Sequence, residues 1–471
     1  MNIYHGLSVV LSSMLLLSLP LPSSAASGMA KSDPQGYSLN RADEDYRYLI
    51  DPARRSDTWD PLKYIPFSES GSCYLTIGGE ARERYEYFSH PNWGGGPPGS
   101  GYWLQRYFLH GDLHLGENAR LFAQFQSSLE NDRTGGPRPT DKDELDLHQA
   151  FLDLKSDFAA DTTFTLRSGR QELAYGSQRL VSVREGPNVR QSFDGFRAIL
   201  HSGWMQIDAF VSRPVTTKRY VFDDDTDDSK TLWGTYAVLP FPLFPKANID
   251  LYYLGLNRHS AMFRQGTAGE TRHSLGTRLW RTLAPLDYNF EALYQWGSFG
   301  DGDIRAWTVA SDTGYTFVSL PFRPRLGLRA DIASGDDDPA DPDLQTFNPL
   351  FPKGAYFSEA GLIGPANFID LNPSIDLHLA GSVTLTFNWD FFWRESTSDG
   401  IYNNAMTLVR SGTANDARYI GSMPQSQLVW DIDRHLTFVA IYGHFFAGGF
   451  LKDTGPGKDV DYVTTWLDYK F

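Results

Sequence analysis

The chain has 471 residues, 41% of them hydrophobic and 14% aromatic, with a formal net charge of −15 and a mean hydropathy of −0.37. A spanning helix needs roughly 20 consecutive apolar residues, and no stretch after residue 26 is apolar for that long, which excludes a helical membrane protein. The acidic balance argues against a nucleic-acid partner, and the single cysteine, Cys73, excludes an internal disulfide.

The N-terminus has the pattern of a secretory signal peptide. Residues 7–21 are apolar, Pro20 and Pro22 lie at the end of this run, and the small residues 24–26 offer a cleavage site. We therefore predict a signal peptide over residues 1–26. Residues 27–72 are polar and contain several prolines, so we predict a lead-in segment with one strand near 62–67.

From Leu75 onward the sequence alternates between apolar and polar side chains. The pattern is clearest in 286–296 and 383–393, where every second residue is apolar, mostly aromatic or aliphatic. A period of two fits a strand and no helix. Predicted strands, each long enough to cross a membrane, cover residues 75–87, 103–115, 120–130, 145–155, 162–174, 193–201, 204–213, 231–239, 248–257, 272–282, 286–297, 304–318, 325–334, 369–381, 383–395, 418–432, 435–446 and 460–471.

Two folds fit this alternation, and they differ in which face points outward. A soluble sandwich buries the apolar face, whereas an outer-membrane barrel turns it to lipid and lines a lumen with the polar face. The export signal, the lack of a spanning helix and a last strand that ends in the aromatic Phe471 favour the barrel. No linker or composition change divides residues 73–471.

We therefore predict an all-β fold, a single transmembrane antiparallel barrel of about eighteen strands over residues 73–471. Its long loops would be extracellular, and its short turns would be periplasmic. This fold places the protein in the outer membrane of a Gram-negative cell. Its expected partners are outer-membrane lipid and lipopolysaccharide, and the barrel-assembly machinery that inserts such proteins.

The inward positions of the predicted strands are rich in arginine. A barrel of this size encloses water, so its function depends on what lines the lumen. For any single arginine, an ion pair that stiffens the wall is the favoured interpretation. For the set as a whole, anion selection is favoured, because guanidinium stays charged and binds carboxylates with two hydrogen bonds. The predicted inward arginines are Arg82, Arg84, Arg106, Arg167, Arg170, Arg278, Arg325, Arg329 and Arg394.

Other chemistry finds little support in the sequence. It contains no nucleophile elbow, phosphate-binding loop or metal-hydrolase motif, so we predict no enzymatic activity, no catalytic residue and no cofactor. The acidic runs at 223–228 and 336–343 are interpreted as solvated loops. Binding of divalent cations or of lipopolysaccharide-associated metal is the less favoured alternative, and we predict no metal site.

Several short motifs resemble the alginate-export outer-membrane porin family. Together the stretches that carry the resemblance extend from about residue 40 to the C-terminus. Each motif is short, but their occurrence in this order is specific to the family. They are the runs at 78–86 (GGEARERYE), 145–151 (LDLHQAF), 167–172, 184–190 (REGPNVR), 193–195 (FDG), 346–352 (TFNPLFP), 364–367 (GPAN) and 444–448 (HFFAG).

The resemblance implies a monomeric eighteen-stranded barrel whose electropositive constriction lets a polyuronate leave the periplasm passively. It also implies that lumenal Arg and Lys with a few carboxylates select the polymer, and that periplasmic export proteins are candidate partners. Arg190 and Asp194 join the predicted substrate-binding set on this basis, provided that a loop folds into the lumen. The residues in or beside matching motifs are Arg82, Arg84, Arg167, Arg170, Arg190, Asp194, Arg325 and Arg329.

Three functions remain open from the sequence. The leading one is export of an anionic polysaccharide, alginate or a relative. The second is a porin for small anionic or sugar-acid solutes. The third is a role without transport, as an adhesin or structural barrel that uses its long loops.

Overall fold

The alternating sequence folds into eighteen antiparallel strands that close into one barrel. The structure, a computed structural model, describes residues 36–412 and 415–471, and the predicted signal peptide lies outside these residues. The barrel strands are β1 (Cys73–Phe88), β2 (Ser100–Leu115), β3 (Ala119–Asn131), β4 (Asp143–Ala159), β5 (Thr162–Gln171), β6 (Phe193–Ser202), β7 (Met205–Thr216), β8 (Lys230–Pro240), β9 (Asn248–Phe263), β10 (Gly266–Arg281), β11 (Leu286–Phe299), β12 (Gly302–Thr316), β13 (Arg325–Ala333), β14 (Phe368–Ala380), β15 (Val383–Trp393), β16 (Tyr419–Asp431), β17 (Leu436–Ala447) and β18 (Val460–Lys470).

Each strand pairs with its neighbours in the chain, and the first strand closes the barrel by pairing with the last. The β1–β18 register runs from Glu80 opposite Lys470 to Phe88 opposite Tyr462. Closure leaves no free sheet edge, which is the condition for a sheet to stand in lipid. The prediction of an all-β antiparallel barrel of about eighteen strands is confirmed.

The polarity of the barrel is inverted relative to a soluble protein. In β15, Phe387 and Trp389 are 42% and 44% exposed on the outer face, whereas Asp390 and Phe392 are 1% and 3% exposed on the inner face. A soluble sandwich would bury the aromatic row instead. The outer face of this strand therefore presents apolar side chains to lipid, as the alternation predicted.

The two rims of the barrel differ in the length of their connections. At one rim, here called the turn rim, eight connections are no longer than eight residues (116–118, 160–161, 203–204, 241–247, 282–285, 317–324, 381–382 and 432–435). The other rim, here called the loop rim, carries long loops, among them loops A to D. These are loop A (172–192), loop B (334–367), loop C (394–418) and loop D (217–229).

Two connections at the loop rim are short, contrary to the expected loop-and-turn asymmetry. Residues 264–265 join β9 to β10, and residues 300–301 join β11 to β12. The sequence predicted that the strand before residues 264–265 ends near residue 257 and that the strand after them begins near residue 272. Small residues and a register shift between Arg258 and Ala261 interrupt the alternation there, although the strands continue.

An N-terminal segment, residues 39–72, lies against the inner wall at the turn rim. Arg41 donates hydrogen bonds to the carbonyl oxygens of Gly79 (2.9 Å) and Phe471 (2.8 Å), and Arg120 donates one to Ala42 (2.6 Å). The segment contains 3₁₀ helices Arg41–Asp43, Arg47–Ile50 and Pro52–Arg54, helix α1 (Asp60–Lys63) and the two-residue strand Ile65–Pro66, which pairs with β1.

The remaining short elements all lie in connections at the loop rim. None of the helices in residues 36–412 and 415–471 is long and apolar enough to cross a bilayer. These short elements are the 3₁₀ helix Pro91–Gly94, helix α2 (Gly449–Thr454) and the two-residue or three-residue strands Asp225–Thr226, Ile401–Tyr402 and Leu408–Arg410.

Candidate functional site

Loop A crosses the lumen. Near its end, the Asn188 side-chain amide donates to the carbonyl oxygens of Gln105 (3.0 Å) and Leu129 (3.1 Å), on β2 and β3. Near its start, Arg179 donates to the Glu291 carboxylate on β11 at 3.0 Å. Strands β2 and β11 stand on nearly opposite sides of an eighteen-stranded barrel. A loop that contacts both therefore spans the water-filled interior and narrows it.

Loop B enters the lumen from the other side and meets loop A. The backbone N–H of Phe351 donates to the Leu180 carbonyl at 2.8 Å, and that of Lys353 donates to the Gln178 carbonyl at 3.0 Å. Arg84 on β1 forms an ion pair with Glu359 of loop B at 3.1 Å. Loops A and B thus form one constriction that is hydrogen-bonded to itself and tied to the wall.

Glu185 of loop A is the centre of a cluster of arginines in this constriction. Its carboxylate forms ion pairs with Arg82 (3.4 Å) and Arg190 (3.1 Å), and a third, shorter one with Arg106. Burial by itself raises the pKa of Glu185, but Arg106, Arg190 and Arg82 outweigh it and hold that pKa well below its usual range. Arg106 also pairs with Glu80 (2.6 Å) and Arg190 with Glu172 (2.8 Å), so within the described residues Glu185 is the only carboxylate within 4.0 Å of Arg82.

Two other cations of the constriction have no carboxylate partner. Arg184 of loop A and Lys353 of loop B are half-buried, and within the described residues neither forms an ion pair within 4.0 Å. Burial lowers the pKa of Arg184 to about 10, so it stays charged at neutral pH. Burial also lowers the pKa of Lys353 to about 8, and the like charges of Arg179 and Arg329 add to this effect.

The other predicted site residues face the interior and are mostly paired with carboxylates on neighbouring strands. Arg325 is within 4.0 Å of three aspartates, and Arg329 bridges Asp370 and Asp390. Such pairs neutralise charge in the wall. The remaining pairs are Arg84 with Glu86 (2.7 Å), Arg106 with Glu80 (2.6 Å), Arg167 with Asp153 (2.7 Å), Arg170 with Asp194 (2.9 Å) and Arg278 with Asp250 (2.9 Å).

Asp194 and Arg190 lie on different elements. Asp194 belongs to β6, where it also accepts a hydrogen bond from Thr226 of loop D at 2.6 Å. Arg190 belongs to loop A and pairs with Glu172 at 2.8 Å. Loop A, which carries Arg190, folds inward, whereas Asp194 is placed by strand β6 and not by that loop.

Arg394 lies apart from the other predicted site residues. It follows β15, is fully buried, and donates to carbonyl oxygens of loop C, among them those of Thr397 (2.7 Å), Asp399 (2.9 Å) and Ala417 (2.7 Å). Its guanidinium carbon stands 4.0 Å from the centre of the Phe450 ring. This arginine holds the base of loop C, so we omit it from the set that we propose contacts solute.

Replacement of Arg394 by methionine should loosen loop C and leave the barrel closed. Hydrogen bonds from a charged donor contribute roughly 1.5–3 kcal/mol each, and methionine supplies none of them. We expect rapid proteolytic cleavage within loop C and unchanged heat-modifiable migration of the barrel on gels. Arg305→Met is the control, because the Arg305 side chain is 60% exposed. Equal protease resistance of the two variants would contradict this role.

A cavity of about 660 Å³ opens at the turn rim between the N-terminal segment and the wall. Five Lys or Arg side chains and five carboxylates line it, so it carries no excess of positive charge. The charged residues are Arg47, Arg120, Lys155, Arg167 and Arg197 against Asp43, Glu44, Asp45, Glu117 and Asp153.

Comparison with known protein families assigns the barrel. The family model described as alginate export matches residues 73–464. The chain belongs to the alginate export family. This confirms the resemblance that the motifs carried, and it makes the protein an outer-membrane barrel channel of Gram-negative bacteria. In this setting the loop rim faces the exterior, and the turn rim faces the periplasm. Comparison with curated proteins finds no significant sequence match.

Solved outer-membrane porins share the fold of this alginate export family member. OpdO of Pseudomonas aeruginosa is 13% identical with a TM-score of 0.56, covering 84% of this chain and 97% of its own. A BenF-like porin from Pseudomonas fluorescens Pf-5 is 11% identical with a TM-score of 0.58, covering 84% and 98%. OccK2 (OpdF) of Pseudomonas aeruginosa, solved in complex with glucuronate, is 13% identical with a TM-score of 0.55, covering 84% and 98%. At these identities the likeness concerns the fold.

Sequence reasoning did not single out Arg184, Glu185 and Lys353. All three lie in loops, where no alternation separates inward from outward positions. Arg184 and Glu185 do fall inside the REGPNVR motif, and Lys353 directly follows the TFNPLFP motif. The sequence signal that could have identified these three residues is a charged residue within or next to a family motif in a long loop.

Proposed function

We propose that this channel lets an anionic polysaccharide, alginate or a related polyuronate, leave the periplasm passively through its arginine-lined lumen. Membership of the alginate export family supports the substrate class. The structure supplies a second, independent reason, which lies in the charge of the constriction.

The proposal depends mainly on one observation. Within the described residues, Arg184 and Lys353 have no carboxylate partner, and they lie on the two loops that meet in the lumen. Paired arginines of the wall leave little net field, because each faces a carboxylate within ion-pair distance. A cation without such a partner attracts a passing anion and repels cations. Burial and the like charges of Arg179 and Arg329 lower the pKa of Lys353 more than Asp331 and Asp312 raise it.

A polymer suits this arrangement because its charges repeat. A polyuronate carries one carboxylate on every sugar unit, and guanidinium groups recur from the turn rim at Arg325 to the cluster around Glu185. Conduction requires sites that are attractive enough to admit a solute and weak enough to release it. Arginines already paired with carboxylates can exchange partners with a passing carboxylate without holding it permanently.

The second candidate function is a porin for small anionic or sugar-acid solutes. Its support is the crystal structure of OccK2, a porin with this fold that was solved with glucuronate bound. The same unpartnered cations would attract a monomeric uronate. The two functions differ in whether chain length adds to binding.

Planar bilayers test the proposal through ion selectivity and block. Under a salt gradient, the purified protein should conduct with a reversal potential that favours anions, and polymannuronate should block the current while small acids leave it unchanged. Absence of conductance would favour the adhesin or structural role, and cation preference would overturn the proposal. Unchanged selectivity in Arg325→Glu and Arg329→Glu would remove these two residues from the pathway.

The anion preference should fall as pH rises through the pKa of Lys353. Because this pKa is about 8, Lys353 carries its charge at pH 6 and loses it in alkaline solution. We expect the reversal potential to shift between about pH 7 and about pH 9, toward the value of a channel with a weaker preference for anions. Lys353→Met should show the lower preference throughout this range with no such transition. A transition that persists in Lys353→Met would assign it to another group.

A further inference from the structure

Four aspartates from two separate elements meet at the loop rim. Asp143 and Asp146 are the first and fourth residues of strand β4, and Asp223 and Asp224 belong to loop D. Asp143, Asp146 and Asp224 each offer one carboxylate oxygen, and these three oxygens lie within 4.8 Å of one another. The sequence analysis favoured a solvated loop for 223–228, yet Asp143 and Asp146 are only 1% and 4% exposed.

Backbone contacts hold loop D against β4 and so fix this arrangement. Glu144 N–H donates to the Arg219 carbonyl at 3.1 Å, and Phe222 N–H donates to the Leu145 carbonyl at 2.9 Å. The N–H groups of Asp223 and Asp224 both donate to Asp146 Oδ2, at 3.0 and 3.3 Å. The acidic cluster is therefore part of a folded interface between a strand and a loop.

This cluster lacks the cation that normally accompanies buried carboxylates. Within the part of the chain that the structure describes, none of the four aspartates forms an ion pair with a Lys, Arg or His side chain within 4.0 Å, although Asp224 Oδ1 accepts a hydrogen bond from the backbone N–H of Lys218 at 2.6 Å. Arg170, which stands nearby, is engaged by Asp194. Buried carboxylates that share a site without a counter-charge repel one another and cost several kcal/mol.

Two buried oxygen atoms at the cluster have no hydrogen-bond donor. Asp143 Oδ1 is buried and accepts no hydrogen bond, although Asp143 Oδ2 accepts one from Gln126 Nε2 at 3.4 Å. Gln126 Oε1 is likewise buried without a partner, and Gln126 stands opposite Asp146 in the β3–β4 register. Fully buried oxygens without donors are rare in native proteins.

We propose that Asp143, Asp146 and Asp224 bind one divalent cation of the calcium class at the loop rim. The donor set consists of three carboxylate oxygens, which hard cations prefer, and the buried Gln126 amide contacts one of these carboxylates. Oxygens within 4.8 Å of one another can all lie at the usual Ca–O distance of roughly 2.3–2.6 Å from a common centre. No His or Cys takes part, which disfavours zinc.

The bound cation would fasten loop D to β4. Loop D in turn contacts Asp194 through Thr226 (2.6 Å), and Asp194 holds Arg170. The cation also neutralises acidic charge at the exit of a lumen that we propose carries anions. The site does not depend on that function, because its ligands lie outside the constriction.

Calcium titration calorimetry of the whole barrel in detergent, after an EDTA wash, tests the site. Asp143→Asn and Asp224→Asn are the test variants, because both leave Asp146 Oδ2 in place to accept the hydrogen bonds that loop D donates. Asp228→Asn is the control, since it makes the same change in the same loop and its side chain is 80% exposed. Heat-modifiable migration on gels reports that each variant is folded.

Wild type and Asp228→Asn should bind about one calcium ion per chain and melt at a higher temperature with calcium. Asp143→Asn and Asp224→Asn should lose both effects. Absence of saturable binding by the wild type would overturn the proposal. Equal binding by Asp143→Asn would also overturn it, since the calcium would then be held elsewhere, for instance by residual lipopolysaccharide phosphate.

Discussion

The double substitution of Arg184 and Lys353 by glutamine should remove most of the channel's preference for anions. Each substitution deletes a cation that has no carboxylate partner within the described residues. A unit charge about 8 Å from a passing ion changes its energy by roughly 0.5 kcal/mol in a water-like medium. Two such charges, acting with opposite sign on anions and cations, should change the permeability ratio at least about fivefold.

Reversal potentials in planar bilayers under a salt gradient measure this change. Arg305→Gln is the matched control, because it removes one positive charge from an exposed side chain at the loop rim that is paired with Asp303. The control should keep the selectivity of the wild type. If the double variant also keeps it, the unpartnered cations do not set the selectivity, and the wall arginines must do so.

Replacement of Glu185 by glutamine should have the opposite effect on selectivity and should also loosen loop A. The substitution leaves Arg82, Arg106 and Arg190 without the carboxylate that they share. Arg106 keeps Glu80 and Arg190 keeps Glu172, but Arg82 loses its carboxylate, so the cluster gains one uncompensated positive charge that faces the lumen. Breaking a buried ion pair costs about 3–5 kcal/mol, and because Glu185 is partly exposed we expect roughly 1–3 kcal/mol.

The readouts for Glu185→Gln are a stronger anion preference, noisier single-channel current and a lower urea midpoint of unfolding from liposomes. Glu144→Gln serves as the control, since Glu144 forms its ion pair with Lys142 at 2.9 Å and away from the constriction. A variant with the selectivity and current noise of the wild type would show that Glu185 does not organise the constriction.

The barrel could be predicted from the sequence because lipid and water impose a period of two on every strand. The alternation in 383–393 identified the outward row of Phe387 and Trp389 and the inward Asp390, as the structure has them. The same rule failed at 258–271, where small residues hide the pattern while the backbone pairing continues. Strand identity is thus a local property of the sequence.

The family resemblance implied a constriction, but the residues that form it could not be predicted, because they meet through contacts between distant loops. Nothing in the local pattern indicates that Leu180 of loop A pairs with Phe351 of loop B. Whether each wall arginine is paired with a carboxylate could not be predicted either, because this depends on the register between strands. The aspartate cluster was missed for the same reason, because Asp143 and Asp224 are far apart in the chain.

Single-channel recording with oligouronates of increasing length is the most direct test of polymer export. With oligomers added on the periplasmic side, we predict interruptions of the current whose duration rises with chain length, because successive carboxylates occupy successive guanidinium sites. The interruptions should shorten in the Arg184→Gln, Lys353→Gln double variant. If glucuronate monomer causes interruptions of the same duration as the oligomers do, this result would contradict polymer export. It would favour a porin for small sugar acids.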